Sequence, residues 1–393
     1  MMRAGRRKNW YWLHKHLGLW AGVLFVLLGI TGSLLVFYTD IDSHLNPDTQ
    51  PSTTRVTSVS AQAVYEALRR EYPDKTGSWR IELPLATNNA VAARYIKPPE
   101  TAHRSFAPLM VTIDPLTYQI TSARYWGSYP MTWIYDLHYT LLAEETGHKL
   151  VGAIGIILLM AIVLGYGLWM PTRGRIASSM KPNIRHQPVK KVYDLHMMAG
   201  IYGGALLVII TLTGVILAFP QTTSRWASTL LAFDTPMPVS RHLLTAGQSQ
   251  ADLDALIRQT NTLFPQEEIR WIETSGDDGR EVTFRMFSGN EPSRRFPQTY
   301  VKLHPFTGEV LHRRDYHQLP AGDKLWAWVH PLHNGEAFGL AGRWAVALLG
   351  WIPVLLLFTG VLRLMQKRKA NAYVRAYRAK YNSASHASEG RPH

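Results

Sequence analysis

Four apolar stretches, Leu17 to Phe37, Leu150 to Trp169, Ile201 to Phe219 and Trp344 to Leu364, constrain this chain more than any other feature. Each is close to the ~20 residues that cross a ~30 Å hydrocarbon core, where backbone polar groups must be satisfied within the segment, so four transmembrane helices are expected. The reading divides the chain into a basic N-terminus (1–12), a first span (13–38), an outer domain (39–132), a pre-helix with the second span (133–170) and a basic loop (171–191). A third span (192–220), a second outer domain (221–325), a pre-helix with the fourth span (326–365) and a basic tail (366–393) follow.

The formal charge of +14 could suggest a nucleic-acid partner, but its distribution argues against one. Basic residues crowd beside the spans, from Arg3 to Lys15, from Arg173 to Lys191 and from Arg363 to Arg391, while the two long loops are near neutral. Such asymmetry marks the cytoplasmic side, which puts both termini inside and the loops outside, in an inner membrane with periplasmic domains. The first apolar run is longer than the core of a cleaved signal and has no small-x-small site, so it reads as a retained anchor. Cysteine is absent, which removes disulfides, thiolate ligands and a Cys nucleophile. No phosphate-binding loop, dinucleotide fingerprint, HExxH or nucleophile elbow is present, which weighs against hydrolases and ATPases.

The chain repeats itself. Leu13-His14-Lys15-His16-Leu17-Gly18 aligns with Leu195-His196-Met197-Met198-Ala199-Gly200, and Thr31-Gly32 meets Thr213-Gly214 at the same offset. In the even spans Leu137-His138 lies over Leu332-His333, Gly147 over Gly342 and Gly165 over Gly360. The loops repeat more faintly, with Val111 to Thr117 resembling Val301 to Gly308 as strand-turn units. Helix-like segments (Ala61 to Glu71; Gln250 to Leu263) precede short β-rich stretches (Arg80 to Leu85; Ile269 to Glu273 and Glu281 to Phe287), so each loop reads as a small α+β domain. The expected architecture is a membrane all-α four-helix bundle of duplicated two-helix units carrying two such domains.

The duplication sharpens the reading of the histidines. A lone histidine at a membrane interface usually snorkels or bonds a carbonyl, but His14 with His196, and His138 with His333, recur at equivalent positions and so at equal depths. Facing helices that present one imidazole each are what a haem iron needs for axial ligation. At the outer face His330 and His148 compete: His330 shares a helical face with His333, whereas His148 cannot share an ion with His138 if the helix between them is unbroken. Arg343 replaces His148 in the repeat and could clamp a haem propionate or other anion. His16, aligned with Met198, is a fallback ligand; His44, His103, His242, His304, His312 and His317 read as solvated loop residues.

At these motifs the sequence resembles the PepSY-associated transmembrane family, and within it the integral-membrane ferric-siderophore reductases. The resemblance rests on Leu13-His14 with Gly18 and Thr31-Gly32, on their copies, on Ile81-Glu82-Leu83-Pro84, on Asp114-Pro115-Leu116-Thr117 and on Leu137-His138. It implies PepSY-like outer domains, two b-type haems, and electrons passing from a cytoplasmic or membrane donor to a ferric siderophore outside. Tyr118 departs from the glycine usual after the turn, His304 stands where the first loop has Asp114, and Trp271-Ile272-Glu273-Thr274 replaces an Ile-x-Leu-Pro strand. The alternative is a non-enzymatic membrane anchor whose outer domains bind a peptide, protease or transporter partner.

Overall fold

The structure is a computed structural model that describes residues 4–50, 58–84, 90–171, 174–181, 188–235, 241 and 249–389; Arg3, Leu85, Arg173, His242 and Arg391 lie outside the described residues. Among these, three helices are long and apolar enough to cross a membrane: Glu144–Trp169, Lys190–Ala218 and Glu336–Arg378. The first apolar segment is a bent pair, Gly5–Trp20 and Gly22–Leu35, with 53° between the two, and it makes a fourth crossing only if the pair counts as one. The bend falls at Ala21, between Gly18 and Gly22, where the helix is intrinsically weak. At the offset that relates His14 to His196, Ala21 corresponds to Gly203, and there the other repeat also departs from α-geometry, in a π-turn over Ala199–Gly203.

The chain forms two compact units: Met1–Ser33, Ala153–Leu212 and Val346–His393 in the first, Leu34–Gly152 and Thr213–Ala345 in the second. The second contains an eight-stranded antiparallel sheet. Its strands are β1 (Trp79–Glu82), β2 (Val91–Tyr95), β3 (Leu109–Ile113), β4 (Ile120–Tyr125), β5 (Glu268–Glu273), β6 (Val282–Phe287), β7 (Thr299–Leu303) and β8 (Val310–Arg314). Their order is β4-β3-β2-β1-β5-β6-β7-β8, two meanders joined through their first strands.

This sheet corrects the expectation of a four-helix bundle with two small α+β domains. A meander alone would expose the edge of its first strand, and an unpaired edge is a row of unsatisfied N–H and C=O groups. Here each edge satisfies the other. Ile81 pairs with Ile272 and Arg80 with Glu273, whose side chains form an ion pair of 2.6 Å. Thr274 closes one end, its N–H donating to Trp79 O at 2.9 Å and its hydroxyl oxygen accepting from Trp79 N at 2.9 Å.

One apolar core results. Strand residues of both halves, among them Ile81, Val111, Ile272, Phe284 and Val301, pack in one buried cluster with Val64 and Leu68 of the helix Ala61–Glu71 and Leu253 and Leu256 of the helix Leu253–Leu263. Both helices are capped at their N-termini, by Ser60 (from Ala63 N, 3.0 Å) and Asp252 (from Ala255 N, 2.7 Å). They are also cross-linked: Asp254 accepts from Ala61 N at 2.8 Å, and Gln62 accepts from Leu253 N at 3.0 Å.

The departures between the halves are chemically equivalent. Asp114 Oδ1 accepts from the N–H groups of Leu116 and Thr117, both at 2.9 Å, and His304 Nδ1 faces those of Phe306 and Thr307, both at 3.3 Å. Gly308 follows with φ +72°, and Tyr118 takes the same left-handed conformation at φ +56°. The Tyr118 hydroxyl accepts from Ser60 N at 3.2 Å, a contact that offsets the strain of its conformation. Gly308→Ala, with neither glycine's freedom nor such a contact, is expected to cost about 1–2 kcal/mol. Denaturant unfolding followed by tryptophan fluorescence checks this; an unchanged midpoint would refute it.

Candidate functional site: two facing pairs of histidines

In the first unit His14, on the helix Ala4–Trp20, faces His196, on Pro188–Met198, with ring centres 6.3 Å apart and planes at 82°. Each ring rests against a glycine of a neighbouring helix. A Cβ at Gly165 would stand 3.1 Å from His14 Cε1, and one at Gly360 would stand 3.5 Å from His196 Cε1. These glycines are repeat equivalents, so the sequence leaves the same space for a ring on both sides.

The hydrogen bonds of these rings fix their tautomers. His14 Nδ1 lies 3.0 Å from Ala161 O, and a carbonyl can only accept, so the proton is on Nδ1. His196 Nδ1 lies 2.9 Å from Thr359 Oγ1, whose single hydrogen goes to Leu355 O at 2.6 Å, so that oxygen too accepts. Both rings therefore carry their lone pair on Nε2, the arrangement found where a histidine is held ready to ligate a metal.

In the second unit His138, on the helix Pro130–Thr140, faces His333, on Ala321–Asn334, again with ring centres 6.3 Å apart and planes at 50°. His333 repeats the pattern: Nδ1 is 3.2 Å from Thr213 Oγ1, and a Cβ at Gly214 would stand 3.0 Å from Cε1. Beside His138, buried Asp136 accepts from Trp126 Nε1 and Arg104 Nη2, both at 2.8 Å, and pins the short helix to the sheet unit. Burial pushes the Asp136 carboxyl above its ordinary range, and these two donors oppose that shift.

The other candidates fall elsewhere. His330 is not in a facing pair; its ring meets Phe296 at 4.7 Å, and its Nδ1 lies 3.4 Å from Asn334 Nδ2. His148 is on a different helix from His138, because the chain breaks after Thr140 with Leu141, Leu142 and Glu144 at positive φ; its ring meets Tyr139 at 5.6 Å. The condition of an unbroken helix is thus not met, and it does not separate those two histidines. Arg343 pairs with Asp40 at 2.6 Å, donates to Val36 O and stacks on Phe37. His16 packs on Trp12 at 4.4 Å. Of the loop histidines, His317 Nε2 lies 2.7 Å from Ser288 Oγ and His304 shapes its turn. No cluster of three or more His, Asp or Glu suited to a metal ion occurs among the described residues; the donor sets are pairs.

Sequence reasoning missed Ala161, Thr359 and Arg295. Thr213 stood in the Thr-Gly motif of the repeat, although its part beside His333 was not read from it. Arg295 comes in through its neighbour Phe296, which touches His330.

A membrane protein of two repeats, with a joint eight-stranded sheet and paired histidines, is the class this fold defines. The profile of the PepSY-associated TM region matches residues 11–367, and the chain belongs to that family. Comparison with curated proteins gave no match.

Burial, helped by the nearby His333 and Arg295, pulls the His330 imidazole down to about 4 from 6.5. Between those values the unfolded chain binds a proton that the folded chain refuses, so stability is lost as pH falls through that window. His330→Gln is expected to flatten this acid loss. Thermal unfolding of the two proteins from about pH 7 to pH 4 checks it; parallel curves would refute it.

Proposed function

We propose that this protein is a haem b-containing inner-membrane reductase that passes electrons from the cytoplasmic side to a ferric siderophore outside. The observation that carries the reading is the spacing of the imidazoles. Metal–imidazole bonds of about 2.0 Å, with ~1.1 Å more from nitrogen to ring centre, separate two rings on opposite sides of one ion by roughly 6 Å. Both repeat-related pairs have ring centres 6.3 Å apart. The donor chemistry also suits haem: imidazoles, two per site, without thiolate.

On this reading His14 and His196 hold one haem b, and His138 and His333 a second. When bound, the group supplies a one-electron carrier in the interior of the protein. The chain's own residues orient it. Ala161 O and Thr359 Oγ1 accept the Nδ1 protons, which keeps Nε2 of His14 and His196 unprotonated and raises ring basicity. Gly165 and Gly360 leave the rings the space they occupy. The substrate logic is hard-soft: oxygen chelators that grip ferric iron hold ferrous iron weakly, so one electron per iron releases the metal. The donor side is the cytoplasmic one by the distribution of Lys and Arg.

Purified full-length protein is expected to be coloured and to show a reducible b-type spectrum, and a colourless preparation that takes up no haem would sink the proposal in favour of a partner-binding anchor. His14→Ala and His196→Ala should each remove about half of the haem, as expected of one haem per bundle-type imidazole pair. Thr359→Val should retain haem but shift the potential of one centre, because it removes only the acceptor behind His196. Full haem in both alanine variants would contradict the assignment.

A further inference from the structure

Arg295 lies on the loop between β6 and β7, in the second unit, next to Phe296 and hence to His330. Its loop is tightly built. The buried Glu291 carboxylate accepts from Thr299 Oγ1 at 2.6 Å and Thr299 N at 3.1 Å, and Arg295 N donates to Glu336 Oε1 at 3.1 Å. The half-buried guanidinium lies 4.6 Å above the Tyr38 ring and 5.5 Å from that of Phe296.

A guanidinium has five N–H donors in a fork matched to a carboxylate. Arg295 commits one nitrogen, Nη2, to the Tyr38 hydroxyl. Among the described residues no carboxylate lies within ion-pair distance of it, although most arginines of this unit have one: Arg80 has Glu273, Arg104 has Asp136, Arg124 has Asp42 and Arg314 has Asp323. Glu336, the acid closest to it in charge effect, is already engaged by Ser293 Oγ at 2.9 Å and by the Arg295 backbone. Burial draws the guanidinium down to about 10, with Glu336 opposing and Arg343 adding to the shift. A second cation so close, itself matched to Asp40, gives Arg295 no relief. A half-buried guanidinium stacked on aromatic rings, with one nitrogen committed to Tyr38 and no carboxylate partner among the described residues, keeps donors for an anionic ligand.

We propose that Arg295 anchors a carboxylate beside His330, in the role first expected of Arg343. The carboxylate has two chemical sources, an acidic side arm of the cofactor or an acidic arm of the ferric chelate; naming these two sources rests on the function proposed above. Arg295→Gln and Arg295→Lys are compared in full-length protein, with thermal unfolding as the control for folding. If the cofactor supplies the carboxylate, Arg295→Gln shifts the midpoint potential and spectrum of one haem while ferric citrate binds as before. If the chelate supplies it, ferric citrate binding, read by tryptophan quenching, weakens tenfold or more with both potentials unchanged. Arg295→Lys should recover part of either effect. A folded Arg295→Gln protein with unchanged potentials, spectrum and citrate affinity overturns the proposal. A preparation without haem defeats the reductase reading separately; Arg295 is then judged by citrate binding alone, and equal affinity in wild type and Arg295→Gln overturns it.

Discussion

The pairing of β1 with β5 is the constraint on which the second unit depends. Each meander alone would leave an edge of its first strand open, and the register Ile81 to Ile272 closes both edges at once. That register brings the helices Ala61–Glu71 and Leu253–Leu263 onto one face, where Asp254 and Gln62 tie each to the other's N-terminus. The β6–β7 loop is fixed in turn, because Glu291 holds it to Thr299 at the start of β7. Phe296 meets His330 from this loop, so the edge pairing is linked by contacts to the helix that carries His333.

The inner pair illustrates how little is needed to prepare an imidazole. A backbone carbonyl does for His14 what a threonine hydroxyl does for His196, and in both the hydrogen-bond direction is forced by an oxygen that has no proton to give. Two sequences that differ at this contact reach the same tautomer. The geometry of the helix supplies the rest, with a glycine on the neighbouring helix beneath each ring.

Apolar segments, repeat and histidine positions were legible because each is a local or fixed-offset pattern. The Asp114 turn and the helix before each β-rich stretch were legible for the same reason. Other features left no such trace. The bend at Ala21 has only Gly18 and Gly22 to mark it, and its counterpart is a π-turn with no separate signature. The break after Thr140 uses Leu141, Leu142 and Glu144 at positive φ, with no glycine to mark where the pre-helix ends and the span begins. The joint sheet was hidden because edge pairing is non-local, so Trp271-Ile272-Glu273-Thr274 read only as a departure from the Ile-x-Leu-Pro pattern, although Thr274 secures the junction. The family resemblance holds over residues 11–367. The ring spacing of the histidine pairs, and the place of Arg295 against Tyr38 and Phe296, could come only from the structure.

Joining two like meanders through equivalent strands has a thermodynamic consequence. Separate halves would complete their sheet only as a dimer, and their folding would follow protomer concentration by mass action. In one polypeptide that association is intramolecular and dilution no longer opposes it. Covalent linkage also releases the halves from identity: His304 can stand for Asp114, and Tyr118 for a glycine, each altered once without its mirror image having to change. Asymmetry of that kind is what lets one end of a duplicated molecule take on work that the other does not share.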